Sequence, residues 1–288
     1  MKTAIVTGAS RGIGEAVARA LVSEGCSVVL LCRDAARGEA VRASLARLGP
    51  GQARLVTGHL DTLSGIRAAA AALEAACPRS DVLVHNAGVW PARRVLGPDG
   101  LEQAFVVNHL APFLLNHLLA DALSRARGRV VQVSAGLYVK GRPSLARTPR
   151  GEDFGSIHTY ATTKLCNLAL LPRYAALLAP RGVTIHALHP GVIRTDLGDR
   201  PGPLGALLRI VKRTWKAPEE GARPVVRLAL EPSFASTTGR YFEVDDERPL
   251  AQVAADPALA EALWLQASTL CGLEPLHSAA SHGEAATQ

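Results

Sequence analysis

Short apolar runs recur along this chain, and longer stretches with helical spacing separate them. The runs are "TAIVTG", "SVVLLC", "ARLVTGHL", "DVLVHNAG", "GRVVQVSAG", "GVTIHALHPG" and "GRYFEV". They are continuously apolar rather than alternating, so each is expected to be a strand covered on both faces. The intervening helices are expected at 12–24, 34–48, 62–76, 100–125, 157–178 and 218–231, with Pro112 bending the fourth and a loop at 136–155. Strand–helix alternation of this kind gives an α/β fold. The expectation is a doubly wound parallel sheet of seven strands with right-handed crossovers.

No linker or shift in composition divides the chain before about residue 273, which predicts one domain over 1–273. The remainder, 274–288, is small and polar and is expected to be disordered. A length of 288 residues with 48% hydrophobic content is enough for one large core. The opening "MKTAIVTG" runs straight into a strand, without the pattern of a signal peptide. No stretch reaches the ~18 apolar residues of a membrane span. A soluble, cytoplasmic protein without a membrane anchor is expected.

The formal charge of +7 is spread among acids, with no basic run, so no nucleic-acid partner is expected. It is compatible with an anionic cofactor. Cys26, Cys32, Cys77, Cys166 and Cys271 have neither metal-ligand spacing nor an even count, and reduced buried thiols are expected. The nine histidines contain no zinc-binding helix pair. No metal is expected.

"TGASRGIGEA", residues 7–16, places Gly8, Gly12 and Gly14 between the first strand and the first helix. A phosphate there meets free backbone N–H groups and the positive end of a helix dipole. A tight turn also selects glycine. Ligands of doubly wound sheets bind beyond the carboxyl ends of the strands. Asp61, Asn86, Ala87 and Gly88, Ser134, and Pro190 with Gly191 interrupt those ends. Each residue type is also a turn former, but one shared edge is harder to explain by turns. Tyr160 and Lys164 stand four apart on a helix and share a face. Such pairs are commonplace surface decoration. Facing the crevice, the ammonium is expected to lower the phenol's pKa toward neutrality and make it a general acid/base. Arg33 follows the second strand, where an adenosine ribose would lie. An arginine there suits a 2′-phosphate and a carboxylate suits a 2′-hydroxyl, and Asp34 beside it keeps NAD open.

With "TGASRGIG" (7–14), "NAG" (86–88), Asn108 in "VVNHLAPF", Ser134 in "VVQVSAG", "YATTK" (160–164) and "HPGVIRT" (189–195), the sequence resembles the short-chain dehydrogenase/reductase family. "LCRD" (31–34), the long gap from Ser134 to Tyr160 and the stretch 239–273 make it most similar to the retinol-dehydrogenase-like branch. Two departures are small: Thr163 stands where the family usually has Ser, and His85 where a second Asn is common. The resemblance implies that Ser134 hydrogen-bonds the substrate oxygen and Tyr160 exchanges a proton with it. Lys164 would hold the nicotinamide ribose, and Asn108 would anchor a water leading from Lys164 to solvent. It also implies cofactor contacts from Gly8, Ser10, Arg11, Gly12, Ile13, Gly14, Asp61, Asn86, Ala87, Gly88, Tyr160, Lys164, Pro190, Gly191, Val192 and Thr195.

The expected activity is NADP(H)-dependent interconversion of an alcohol and a ketone or aldehyde. An NAD-dependent alcohol dehydrogenase and an idle dinucleotide-binding sensor or scaffold are the alternatives. The segment 196–215 would be the family's lid over the substrate. Leu204, Leu207, Leu208, Val211 and Trp215 there make an apolar stripe at helical spacing. That favours a hydrophobic small-molecule substrate, although an amphipathic helix packed on the domain explains the spacing equally well. Helices 100–125 and 157–178 would supply the face of a homo-oligomer, unless their apolar positions are core.

Overall fold

Each apolar run forms a strand whose neighbours in the sheet run in its own direction. A computed structural model describes residues 1–194, 197–198 and 215–274. The strands are β1 (Thr3–Thr7), β2 (Ser27–Cys32), β3 (Gln52–Thr57), β4 (Val82–His85), β5 (Arg129–Val133), β6 (Thr184–His189), β7 (Arg240–Glu243) and β8 (Asp246–Arg248). Their order is β3-β2-β1-β4-β5-β6-β7-β8. β1 to β7 are parallel. β8 returns antiparallel to β7, so the sheet has eight strands where seven were expected. Its sequence, Asp-Glu-Arg, is exposed at the sheet edge and carries no apolar signal.

Strand alternation delivers side chains to two cores. Ile5, Val29 and Leu83 point into one layer, while Ala4, Val6, Val28 and Val84 point into the other. The second layer is closed by α1 (Gly12–Ser23), α2 (Ala35–Leu45) and α9 (Pro218–Leu230). The first is closed by α3 (Leu63–Ala76), α5 (Ala111–Leu118), α7 (Ser156–Ala169), α8 (Leu171–Leu178) and α10 (Pro257–Leu270). The sequence reading did not assign α10 as a helix. Its Leu263, Trp264 and Ala267 are buried, and Trp264 meets Phe113 of α5 and Tyr174 of α8 edge to face. The apolar positions of the expected helices 100–125 and 157–178 therefore lie largely in the core of the single chain.

The expected helix 100–125 is four pieces: α4 (Gln103–Phe105), a π turn (Val106–Leu110), α5, and α6 (Ala120–Ala126). Pro112 explains the π turn. Proline has no N–H to give the carbonyl four residues back, that of Asn108. The helix accommodates this with one wide turn, in which the N–H of Ala111 reaches back to the carbonyl of Val106. The carbonyl of Asn108 accepts instead from Nδ2 of Asn167 at 2.6 Å. The expected helix 157–178 likewise divides at Leu170, ahead of Pro172 in the first turn of α8.

Strand order changes direction between β1 and β4. The loops leaving those two strands diverge to opposite sides of the sheet and leave a crevice at its carboxyl edge. Among the described residues, no helix is long and apolar enough to cross a membrane.

Candidate active site

Two of the three clustered glycines are required by backbone conformation and the third by proximity. Gly8 and Gly12 have φ of +66° and +57°, a region that strains other residues. Gly14 lies inside α1, where a Cβ would stand 2.3 Å from the Gly8 carbonyl oxygen and 2.4 Å from Nδ2 of Asn86. The loop after β4 is stitched to the same place. Asn86 donates through Nδ2 to the carbonyls of Thr7 and Gly8, at 3.0 and 3.2 Å. Thr7 Oγ1 accepts from the backbone N–H groups of Asn86 and Ala87, each at 3.0 Å. The result is a rigid floor at the β1–β4 switch point.

A cleft of about 670 Å³ runs over this floor. Gly8, Ser10, Arg11, Gly12 and Ile13 line it beside the N-terminus of α1. Arg33 and Asp61 line the end beyond β2 and β3, together with Asp34 and Arg37. Asn86, Ala87 and Gly88 line its middle. Ser134, Tyr160, Lys164, Pro190, Gly191 and Val192 line the other end. Two expected site residues do not line it: Gly14, which acts by allowing close packing, and Asn108. Thr195 lies outside the described residues, as do Leu204, Leu207, Leu208 and Val211. Leu197 and Trp215, on either side of that stretch, both line the cleft.

Asn108 sits in the π turn and spends its side chain on the protein. Its Oδ1 accepts from the Val89 N–H at 2.8 Å. Its Nδ2 donates to the Val89 carbonyl at 2.9 Å and to Thr163 Oγ1 at 3.1 Å. Thr163 in turn donates to the carbonyl of Tyr160 at 2.9 Å. Asn108 therefore clamps the loop after β4 to α7, a positioning role. The Thr163 hydroxyl completes that clamp, so a hydroxyl at this position has a physical use. His85 is buried, shares a hydrogen bond of 2.8 Å with Asn116, and is pushed down to about 4 by burial, so it is neutral.

Lys164 Nζ donates to the Val133 carbonyl at 3.0 Å and lies 5.8 Å from the centre of the Tyr160 ring. Burial lowers the Lys164 pKa to about 8. Burial raises that of Tyr160 above the ordinary phenol value, opposite to the expected acidification. Desolvation disfavours both charged forms, and the ammonium, turned toward Val133, does not offset it. Ser134 Oγ is buried without a protein partner. A buried hydroxyl in that condition suits a ligand oxygen.

Sequence reasoning missed Trp90. Its indole stacks on Tyr160, with ring centres 4.6 Å apart and planes 9° apart. The only available signal was a tryptophan two residues after "NAG" in a chain with three. His189, noted only inside "HPGVIRT", also lines the cleft, and Gly136 lets its ring lie close: a Cβ there would be 3.2 Å away.

The site suits a dinucleotide. Glycines with bare backbone flank a helix N-terminus at one part of the cleft, and a buried, partnerless hydroxyl stands at another. All five cysteines are free and buried. Among the described residues no cluster of His, Cys, Asp and Glu could hold a metal.

Comparison with known proteins agrees with this geometry. The model of the family described as short chain dehydrogenase matches residues 2–201. Human retinol dehydrogenase 14 is 34% identical over 94% of this chain and 87% of its own length. Bovine dehydrogenase/reductase SDR family member 13 is 37% identical over 97% and 76%. A short chain dehydrogenase from Burkholderia cenocepacia, solved in complex with NADP, superposes with a TM-score of 0.67. It is 26% identical, over 85% of this chain and 96% of that one. A match over most of the chain, joined to a glycine-floored cleft at the switch point, places this protein in the short-chain dehydrogenase/reductase family of NAD(P)(H)-binding oxidoreductases, within its retinol-dehydrogenase-like branch.

Proposed function

We propose that the protein interconverts an alcohol and a ketone or aldehyde on a bulky apolar substrate, with NADP(H) as its cofactor. The observation that carries this reading is that Ser134, Tyr160 and Lys164 line one end of a cleft whose other parts are lined by the glycine loop and Arg33. A bound nicotinamide dinucleotide supplies the hydride. The chain supplies the rest. Ser134 holds the substrate oxygen through its hydroxyl. Tyr160 gives that oxygen a proton in reduction and takes one back in oxidation. Lys164 holds the ribose and places charge near the phenol. Asn108 and Thr163 keep α7 and the loop after β4 in register.

NADP(H) is favoured over NAD(H) by the charges beyond β2. Arg33 and Arg37 are exposed there. The carboxylate of Asp34, which would be the natural acceptor for a 2′-hydroxyl, is already engaged. It accepts from the Arg37 N–H at 3.0 Å and lies 3.4 Å from the Arg37 guanidinium. The solved relative with NADP supports the same preference. Arg33→Ala is expected to weaken NADPH binding by about tenfold or more, the worth of a charge-assisted hydrogen bond, and to leave NADH nearly untouched. Equal losses in a fluorescence titration of both would exclude Arg33 as the phosphate reader.

Leu137, Val192, Leu197 and Trp215 give the substrate end apolar walls, which favours a bulky apolar compound. The retinol named in several relatives is of that class. A panel of carbonyl compounds, from small polar aldehydes to large apolar ketones, assayed with NADPH and NADH side by side, tests the reading. Turnover of large apolar members with NADPH is expected. No turnover of any member, with the cofactor still bound, would favour the sensor or scaffold alternative.

Lys164 sets a pH limit. With its pKa near 8, its ammonium is present below that pH and lost above it. For carbonyl reduction, kcat/KM is expected to be level below pH 8 and to fall as pH rises past it. Lys164→Arg keeps the charge and should move the falling limb upward. A limb that stays in place would assign the titration to another group.

A further inference from the structure

Trp90 is held in place on both sides. The residue before it, Val89, has its N–H and its carbonyl both bonded to the Asn108 side chain. The residue after it, Pro91, accepts through its carbonyl from Ser156 Oγ at 2.8 Å, at the start of α7. The indole between these anchors lies flat against Tyr160. It also carries Gly198, which has φ +77° and approaches so closely that a Cβ there would lie 3.1 to 3.3 Å from two indole carbons. The neighbouring residue, Leu197, lines the cleft, as does Trp90 itself. A fixed aromatic slab therefore touches both the phenol ring and the chain at Gly198. Its thickness cannot adjust, and neither neighbour lets it swing away freely.

We propose that Trp90 is the specificity-determining residue of the substrate end, fixing the clearance beside Tyr160 so that the pocket accepts flat or linear apolar carbonyl compounds and rejects those branched next to the reacting carbon. This rests on the reading of Tyr160 as the proton donor. It deepens that reading, since bulk alone does not say which dimension is restricted. A substrate can be long along the cleft, between Leu137 and Trp215, and still must be thin where its carbonyl meets the phenol. Trp90 also holds the Tyr160 ring in one plane, so its removal should cost kcat as well as selectivity.

The experiment compares an unbranched long-chain aldehyde with a carbonyl of equal carbon number carrying a tertiary branch beside the carbonyl. Both are assayed with NADPH in the wild type, Trp90→Phe, Trp90→Ala and Gly198→Ala. The wild type is expected to prefer the unbranched compound. In Trp90→Ala the ratio of kcat/KM values should fall by about tenfold or more, the worth of a group or two of bulk in a pocket, and kcat on the unbranched compound should fall. Trp90→Phe should lie between, and Gly198→Ala, which lifts the chain off the same indole, should shift the ratio the same way. If every variant changes both substrates by one common factor, Trp90 is a structural residue and the proposal fails. Failure of the underlying reading looks different: the wild type would turn over neither compound.

Discussion

Tyr160→Phe is expected to lower turnover by at least about 100-fold, the usual worth of a positioned general acid or base. The substitution removes one oxygen and leaves the ring. Tyr160 is only 5% exposed and stacks on Trp90, so the phenylalanine ring should keep the same place. Lys164 is bonded to Val133 rather than to the phenol, so its position does not depend on the lost hydroxyl. Cofactor affinity and the thermal midpoint should therefore stay close to those of the wild type. That combination, chemistry lost with binding and folding kept, separates a proton donor from a structural tyrosine. Rates near normal in Tyr160→Phe would remove the mechanism proposed for this site.

The second large effect is expected from Gly14→Ala. The added methyl would stand 2.3 Å from a backbone oxygen and 2.4 Å from the Asn86 amide, closer than any packed carbon tolerates. Relief requires α1 to move from the β1 loop or Asn86 to abandon its two bonds to Thr7 and Gly8. Either change opens the floor of the cleft. Overpacking of this kind costs about 1–3 kcal/mol of stability. The larger consequence should be loss of cofactor, with the NADPH dissociation constant rising by about tenfold or more as the helix N-terminus shifts from its place. Thermal unfolding and NADPH titration measure the two separately. A variant that binds NADPH like the wild type would show that the floor can yield without consequence.

The parts of the molecule legible in its sequence are those that rest on short-range rules. Continuous apolar runs such as "SVVLLC" become parallel strands because both faces need cover, and β1 to β7 follow. Tyr160 and Lys164 reach one cleft because a spacing of four on a helix puts them on one face, and β5 and β6 frame it. Features without such a rule stayed hidden. β8 is three charged residues that pair only because β7 offers an edge. Pro112 announced a bend but not its form. The π turn leaves the Asn108 carbonyl to be taken by Asn167, 59 residues further on. Trp90 carries no periodicity at all, and its contact with Tyr160 spans 70 residues of sequence. The direction of the Tyr160 pKa was misread for a related reason. A Tyr–Lys spacing gives proximity along the helix, but the desolvation that wins comes from everything packed around it.

The last helix has a bearing on how the chain is made. One core layer is complete once Phe242 is in place, for its members run from Ala4 to Phe242. The other draws on Trp264, Ala267 and Cys271, and a bond from Arg67 to the carbonyl of Cys271 ties α3 to the end of α10 across 204 residues. During synthesis from the N-terminus, Phe113 and Tyr174 must wait uncovered until α10 has emerged. The nascent protein thus spends the longest time with that face open, so chaperone capture and premature self-association should concentrate there rather than around the cleft.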